Sequence, residues 1–223
     1  MYMKVEKHLL NDLKPLNQSE KVVDILDAME ELKFSHLPVV DDERLYLGVI
    51  CEDDLLEVSN EDDILTKHLR LLKAYRVSSD ADMFEAIRII GEGNLSLLPV
   101  VDAKNHYRGY IATSELLQDV GRELTFKEPG GVLVLSIPVR DYQLTQIAQI
   151  VESEDAKVIG FHLSEDTEQE KLLVALKINQ TDLDRIVKSF QRYNYNVVEV
   201  FHQSLFDDSL EDRYQSFMKY LNI

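Results

Sequence analysis

Cysteine is nearly missing from this chain. Cys51 stands alone among 223 residues, so no internal disulfide can close and no CxxC metal clip exists. Glycine is scarce, with eight in all, and the glycine-rich phosphate cradles are absent. There is no GxxxxGK(S/T), and Gly91-Glu92-Gly93 follows a helical pattern instead of a strand and lacks the third glycine. Neither GxSxG nor HExxH occurs, and His8, His36, His68, His106, His162 and His202 never fall four apart. A nucleophile elbow and a helical metal pair are thereby excluded, and the expectation is a protein with no catalytic residues and no metal site. Basic residues are outnumbered, 24 Lys+Arg against 41 Asp+Glu, giving a formal net charge of −17. A field of that sign repels nucleic-acid backbones and anionic lipid, so neither is expected as a partner. No apolar run reaches the length of a membrane span, and the N-terminal MYMKVEKHLLNDLK lacks a signal-peptide pattern. The expected setting is the cytoplasm.

What the chain has instead is one stretch written twice. Ser35–Leu56 reads SHLPVVDDERLYLGVICEDDLL, and Ser96–Leu117 reads SLLPVVDAKNHYRGYIATSELL, 61 residues further on with no gap. Eleven of the 22 aligned positions are identical, among them Pro38/Pro99, Asp41/Asp102, Gly48/Gly109 and Leu55/Leu116. Such a period marks one supersecondary unit copied, each copy too small to bury its apolar face alone.

In chain order, Val5–Leu13 predicts a short helix stopped by Pro15, and Leu16–Gln18 a brief strand. Ser19 offers an N-cap oxygen to a helix carrying Val22, Val23, Leu26, Met29 and Leu32 at helical spacing. Leu37–Val40 and Leu45–Cys51 read as strands joined by a polar hairpin loop, and Asp53 and Asp54 open the next helix. The second copy repeats this β-α-β-β-α order: a strand at Arg76-Val77, a cap at Ser79 or Asp80, a helix through Met83–Ile90 ended by Gly91 and Gly93, strands at Leu97–Val101 and Tyr107–Ala112, and a helix from Glu115. Asn60–Leu72 is the connector. Lys127-Glu128-Pro129-Gly130-Gly131 reads as a linker. Beyond it come a strand (Val132–Val139), a helix (Gln143–Glu152), strands at Lys157–Leu163 and Leu172–Ile178 around an acidic tip, a helix (Asp182–Tyr193) and a strand (Asn196–Phe201). That is the ferredoxin-like β-α-β-β-α-β order. Leu210, Tyr214, Phe217, Met218 and Leu221 then fall on one helical stripe, a C-terminal helix within 204–223.

The motif xxLPVVD…GxI…(D/E)LL, carried twice at one spacing, resembles a tandem pair of CBS domains, a Bateman module, over about Lys7 to Leu124. Residues 132–203 resemble an ACT-like domain by element order and length, and a CBS pair followed by ACT is the layout of acetoin-utilisation-type regulatory proteins. The fold class expected is therefore α/β (α+β). It divides into a CBS pair over 1–126 (repeats about 7–60 and 68–124), a linker over 127–131, an ACT-like domain over 132–203, and the C-terminal helix. The resemblance implies a non-catalytic regulatory protein and a homodimer. It also implies clefts between the units that take an adenine nucleotide such as AMP or an S-adenosyl compound, with no cofactor required and a protein target unknown.

In that family a Thr or Ser ends the third strand, and three residues on an Asp grips the ribose hydroxyls. Here Cys51 takes the hydroxyl position and Asp54 the ribose position; in the second copy these are Ala112 and Glu115. Leu16, Ser35, His36, Leu37 and Pro38, with Val77, Ser96, Leu98 and Pro99, are the further cleft candidates. Arg44, Lys104 and Arg108 lie in or near the hairpins, with no basic cluster for a triphosphate, so a monophosphate or a neutral adenosine derivative fits better. Asp54 and Glu115 read equally as acids favoured at a helix start. The acidic run from Glu52 to Asp63 reads as a solvated face, with loose magnesium binding as its alternative. The ACT-like loop Arg140–Leu144 has no glycine; Tyr142 stands where an amino-acid ligand would approach, and Asp141 is a ligand group or a helix N-cap. The rival reading is a dimeric interaction scaffold whose CBS and ACT-like pockets bind nothing.

Overall fold

The computed structural model describes residues 4–166 and 170–202; the expected C-terminal helix lies outside them. The chain forms two compact units that divide between Val120 and Gly121.

The first unit is the duplication made physical. In the first repeat, β1 (Leu16–Asn17), α1 (Val22–Leu32), β2 (His36–Val40), β3 (Tyr46–Cys51) and α2 (Glu52–Leu56) follow in order. In the second come β4 (Val77–Ser78), α3 (Met83–Gly93), β5 (Leu97–Val101), β6 (Tyr107–Ala112) and α4 (Thr113–Gly121). Each repeat makes a three-stranded sheet, β1-β2-β3 or β4-β5-β6. The short first strand runs parallel to the central one, and the last runs antiparallel to it. Registers match: Leu16 pairs with Val39 as Val77 does with Val100, and Pro38 pairs with Val49 as Pro99 does with Tyr110. β1 reaches only Val39 and Val40, so at Pro38 that flank of β2 has no ladder for a missing N–H to break.

Backbone devices repeat with the strands. Asp41 Oδ1 accepts the N–H groups of Glu43 and Leu45 at 2.9 and 2.8 Å, and Asp102 Oδ1 accepts those of Lys104 and His106 at 2.8 and 2.9 Å. Arg44 and Asn105 both take φ 65° in these loops. Gly48 and Gly109 take φ 158° and 150°, and another stretch of chain crosses close above each.

The second repeat buries a cluster of its own with Val5 of the N-terminal segment (Val77, Ala86, Leu98, Val100, Ile111), but the first repeat does not close its core alone. Leu97, Tyr110 and Ala112 of the second repeat join Ile25, Met29, Leu37, Ile50 and Leu55 of the first in one buried cluster. Val40, Tyr46, Val101 and Tyr107 form another across the seam, where Tyr46 N–H donates to Asn105 O at 2.9 Å and Tyr107 N–H to Arg44 O at 3.3 Å.

Several local expectations are corrected. The N-terminal helix is a 3-10 turn confined to Val5–His8. Ser19 does not cap α1; the amides of Val22 and Val23 donate to the carbonyls of Asp63 and Glu61, so the connector satisfies the helix start. Asp82, not Ser79 or Asp80, caps α3, accepting from Phe84 N–H and Glu85 N–H at 2.9 and 3.1 Å. α3 runs through Gly91 and Gly93 and ends at left-handed Asn94 (φ 47°), as α1 ends at Lys33 (φ 60°). The last helix of the unit starts at Thr113, ahead of Glu115. Gly91 is exposed, with nothing within 4 Å of where a Cβ would stand. Gly91→Ala is thus expected to stabilise the first unit by about 0.5–1 kcal/mol, read as a raised urea midpoint.

The second unit opens with α5 (Leu124–Lys127), whose Thr125 hydroxyl donates to Ile159 O at 3.0 Å. β7 (Gly131–Pro138), α6 (Leu144–Glu152), β8 (Val158–Asp166), β9 (Lys171–Ile178), α7 (Asp184–Arg192) and β10 (Asn196–Phe201) follow. The sheet order β10-β7-β9-β8, antiparallel throughout, is the ferredoxin-like arrangement. Alternate residues of β7 and β9 (Leu133, Leu135, Ile137; Val174, Leu176, Ile178) bury against Ile147, Ile150 and Val151 of α6 and Ile186 and Phe190 of α7. The acidic tip is shorter than expected, because β8 continues to Asp166 opposite Lys171.

Candidate functional site

The mirrored strands bring the ends of β3 and β6 under segments that enter from elsewhere in the first unit. Val49 bridges to Lys73, and Tyr110 bridges to Leu10. The closeness explains the two glycines: a Cβ on Gly48 would stand 2.8 Å from Leu72 Cβ, and one on Gly109 2.1 Å from Leu10 O. Lys73 and Leu10 thus occupy like places, one cationic and one apolar. The two clefts differ in charge for that reason.

In the first cleft, Lys73 Nζ lies 2.7 Å from Asp54 Oδ2 at the start of α2. The bond to Asp54 raises Lys73 above the ordinary lysine value. The Lys73 side chain is 48% exposed and that of Asp54 30%, while the Asp54 Oδ2 that meets the ammonium is itself shut off from water. Cys51 is half-buried at the end of β3. A cavity of about 260 Å³ opens beside Asp54, lined also by Glu57, Asp63, His68 and Arg70. Cations at this cleft come from the connector, while Arg44 and Lys104 belong to the hairpin loops. The neighbouring acids are partly engaged: Asp62 pairs with Lys21 at 2.9 Å, and Asp63 with Lys67 at 2.5 Å and His68 at 3.3 Å. Hydrogen bonding to Lys67 holds the Asp63 carboxyl below the usual range. Among the described residues, no group of three His, Cys, Asp or Glu side chains is placed to hold a metal ion.

In the second cleft, Glu115 is exposed on α4, and Tyr110 OH donates to Asp12 at 2.9 Å. Burial first, then the bond to Asp12, pushes the Tyr110 phenol up to about 12. Phe34 meets Tyr110 edge-on, with centroids 5.6 Å apart. The Thr113 hydroxyl donates to Leu95 O at 2.7 Å, so it turns back into the fold beside Ala112.

The other candidates divide into two groups. Ser35, His36 and Ser96 come together at the seam: His36 Nδ1 accepts Ser96 N–H at 3.3 Å and lies 3.2 and 3.4 Å from the Ser35 and Ser96 hydroxyls. Leu16 and Leu37 are buried in the first repeat's apolar cluster and Val77 and Leu98 in the second's, and Pro38 and Pro99 are buried in the central strands. In the second unit, Tyr142 packs half-buried on the core. Asp141 does not cap α6, whose N-cap is Gln143; it borders a cavity of about 410 Å³ with Ser136, Gln146 and Tyr195. Lys73, Asp12 and Tyr110 escaped the sequence reading, since the first two lie outside the repeated stretch and Tyr110 aligns with an apolar Val49.

The CBS domain family model matches residues 8–61 and 63–121. Inosine-5'-monophosphate dehydrogenase of Methanocaldococcus jannaschii is 22% identical over 155 residues, 68% of this chain but 30% of that enzyme. The chain therefore spans less than a third of that relative's length. A CBS domain pair/ACT domain protein from Thermotoga maritima is 23% identical, with a TM-score of 0.48 over 53% of this chain and 96% of that one. CBSX2, solved in complex with AMP, is 24% identical, with a TM-score of 0.44 over 53% of this chain and 96% of that one.

Proposed function

Because the chain belongs to the CBS-domain family, with two copies side by side in its first unit, we propose that it is a non-catalytic regulatory protein whose first cleft senses an adenosine-containing small molecule and so modulates a partner protein. The carrying observation is the Asp54–Lys73 pair at 2.7 Å, a carboxylate and an ammonium held together at the mouth of the cleft. The carboxylate can accept both hydroxyls of a ribose, and the ammonium can meet one phosphate. An AMP-like monophosphate fits this charge count better than a triphosphate. Asp12 and Glu115 make the second cleft acidic, so a positively charged S-adenosyl compound suits it better than a phosphate.

The ferredoxin-like unit is read as ACT-like, the assembly as a homodimer, and the setting as cytoplasmic; among the described residues no helix is long and apolar enough to cross a membrane. The rival reading, a scaffold with unused pockets, draws on Cys51 and Ala112 standing where a hydroxyl is expected. A thermal-shift panel of AMP, ATP, adenosine and S-adenosylmethionine separates the two. A ligand at about 100 times its Kd adds about 2.7 kcal/mol to native stability, so AMP should raise the melting temperature most. A flat response across the panel favours the scaffold.

A further inference from the structure

His36 stands where the other repeat has Leu97, at the start of a central strand. Its residue is 8% exposed, and its Nδ1 accepts the Ser96 N–H that opens β5. Accepting there requires a neutral ring with its proton on Nε2. The charged groups that face it are Lys73, just past the connector, and Asp53 and Asp54 of α2. Burial first, then Lys73, holds its pKa below the ordinary histidine value against the opposing pull of the two carboxylates.

We propose that His36 is an acid-sensitive latch between the two repeats. A proton taken up at Nδ1 turns the acceptor of Ser96 N–H into a donor, and the starts of β2 and β5 lose the hydrogen bond that joins them. The Ser35 and Ser96 hydroxyls can rotate to accept from the protonated ring, but the Ser96 amide has nowhere to turn. The strand ends that border the first cleft then part. The latch works whether or not that cleft takes a ligand.

The sign follows from linkage. As pH falls through about 6.5, the unfolded chain binds a proton that the folded ring resists, and stability is lost until the folded pKa is passed. Two measurements on the full chain test this. In an NMR titration of the wild-type protein, the His36 ring should titrate with a midpoint below about 6.5. In melting curves between about pH 7.5 and about pH 5.5, wild type should lose more stability than His36→Leu, which copies the residue the second repeat already buries at that place. The difference between the two slopes isolates His36 from the other histidines. A His36 midpoint at or above that of a free histidine overturns the latch, as does an unchanged slope in a folded His36→Leu protein.

Discussion

Gly109→Ala is expected to cost the first unit about 3–4 kcal/mol of stability. The new Cβ would meet Leu10 O at 2.1 Å and Leu9 Cδ1 at 2.9 Å, and the backbone there sits at φ 150°, which side chains rarely adopt. A backbone oxygen cannot rotate aside as a side chain can, so either β6 or the incoming N-terminal segment must move. That segment is tied in both directions, because Leu10 N–H donates to Tyr110 O at 2.8 Å and Tyr110 N–H to Leu10 O at 2.9 Å. Overpacking and backbone strain together cost about 3–4 kcal/mol, against a typical domain stability of about 5–15 kcal/mol. Gly48→Ala should cost less, since its closest contacts are longer, 2.8 Å to Leu72 Cβ and 3.1 Å to Lys73 O, although a Cβ is as fixed to its backbone as an oxygen. Urea unfolding of both variants checks the order. Equal losses, or a loss at Gly109 below about 1 kcal/mol, would mean the crossing segment is looser than its bonds imply.

The same two glycines show what the sequence makes legible. Leu-Pro-Val-Val-Asp and Gly-x-Ile, repeated at one spacing, encode a central buried strand, a side-chain-capped hairpin and a strand crossed at close range. Each is local chemistry, and each reappears in both repeats. The β-α-β-β-α-β order of the second unit was readable for the same reason, since β7 and β9 alternate between core and surface. Helix ends were not. α1 begins without a side-chain cap because carbonyls from Asp63 and Glu61 take its amides, and nothing near Ser19 signals a partner some 40 residues away. The candidate site was half legible. Asp54 follows from the repeat, but Lys73 reaches it only because the chain just past the connector bridges to Val49, a pairing that no periodicity announces. In the second repeat the matching bridge falls on Leu10, two residues off the common spacing, which is why the difference in charge between the clefts emerged only from coordinates.

That difference in charge yields the sharpest expectation for ligand binding. If AMP occupies the first cleft with its ribose on Asp54 and its phosphate on Lys73, Asp54→Ala removes a charged acceptor for both hydroxyls. Bonds to a charged group contribute about 1.5–3 kcal/mol, so AMP affinity should fall by up to about 100-fold. Asp54→Asn keeps one acceptor without the charge and should fall between, at about 10-fold. Lys73→Ala should weaken AMP while leaving adenosine unchanged, because only the phosphate loses a contact. Both side chains are partly exposed, so the variants should still fold, but Lys73→Ala leaves Asp54 Oδ2, itself shut off from water, without its cation, and a melting curve of each variant accompanies the titration. Glu115→Ala, in the other cleft, serves as the control and should bind AMP like wild type. Calorimetric titration of the four variants reads the pattern directly. AMP binding untouched by Asp54→Ala would move the nucleotide out of the first cleft, and equal weakening of adenosine and AMP by Lys73→Ala would take the phosphate away from the lysine.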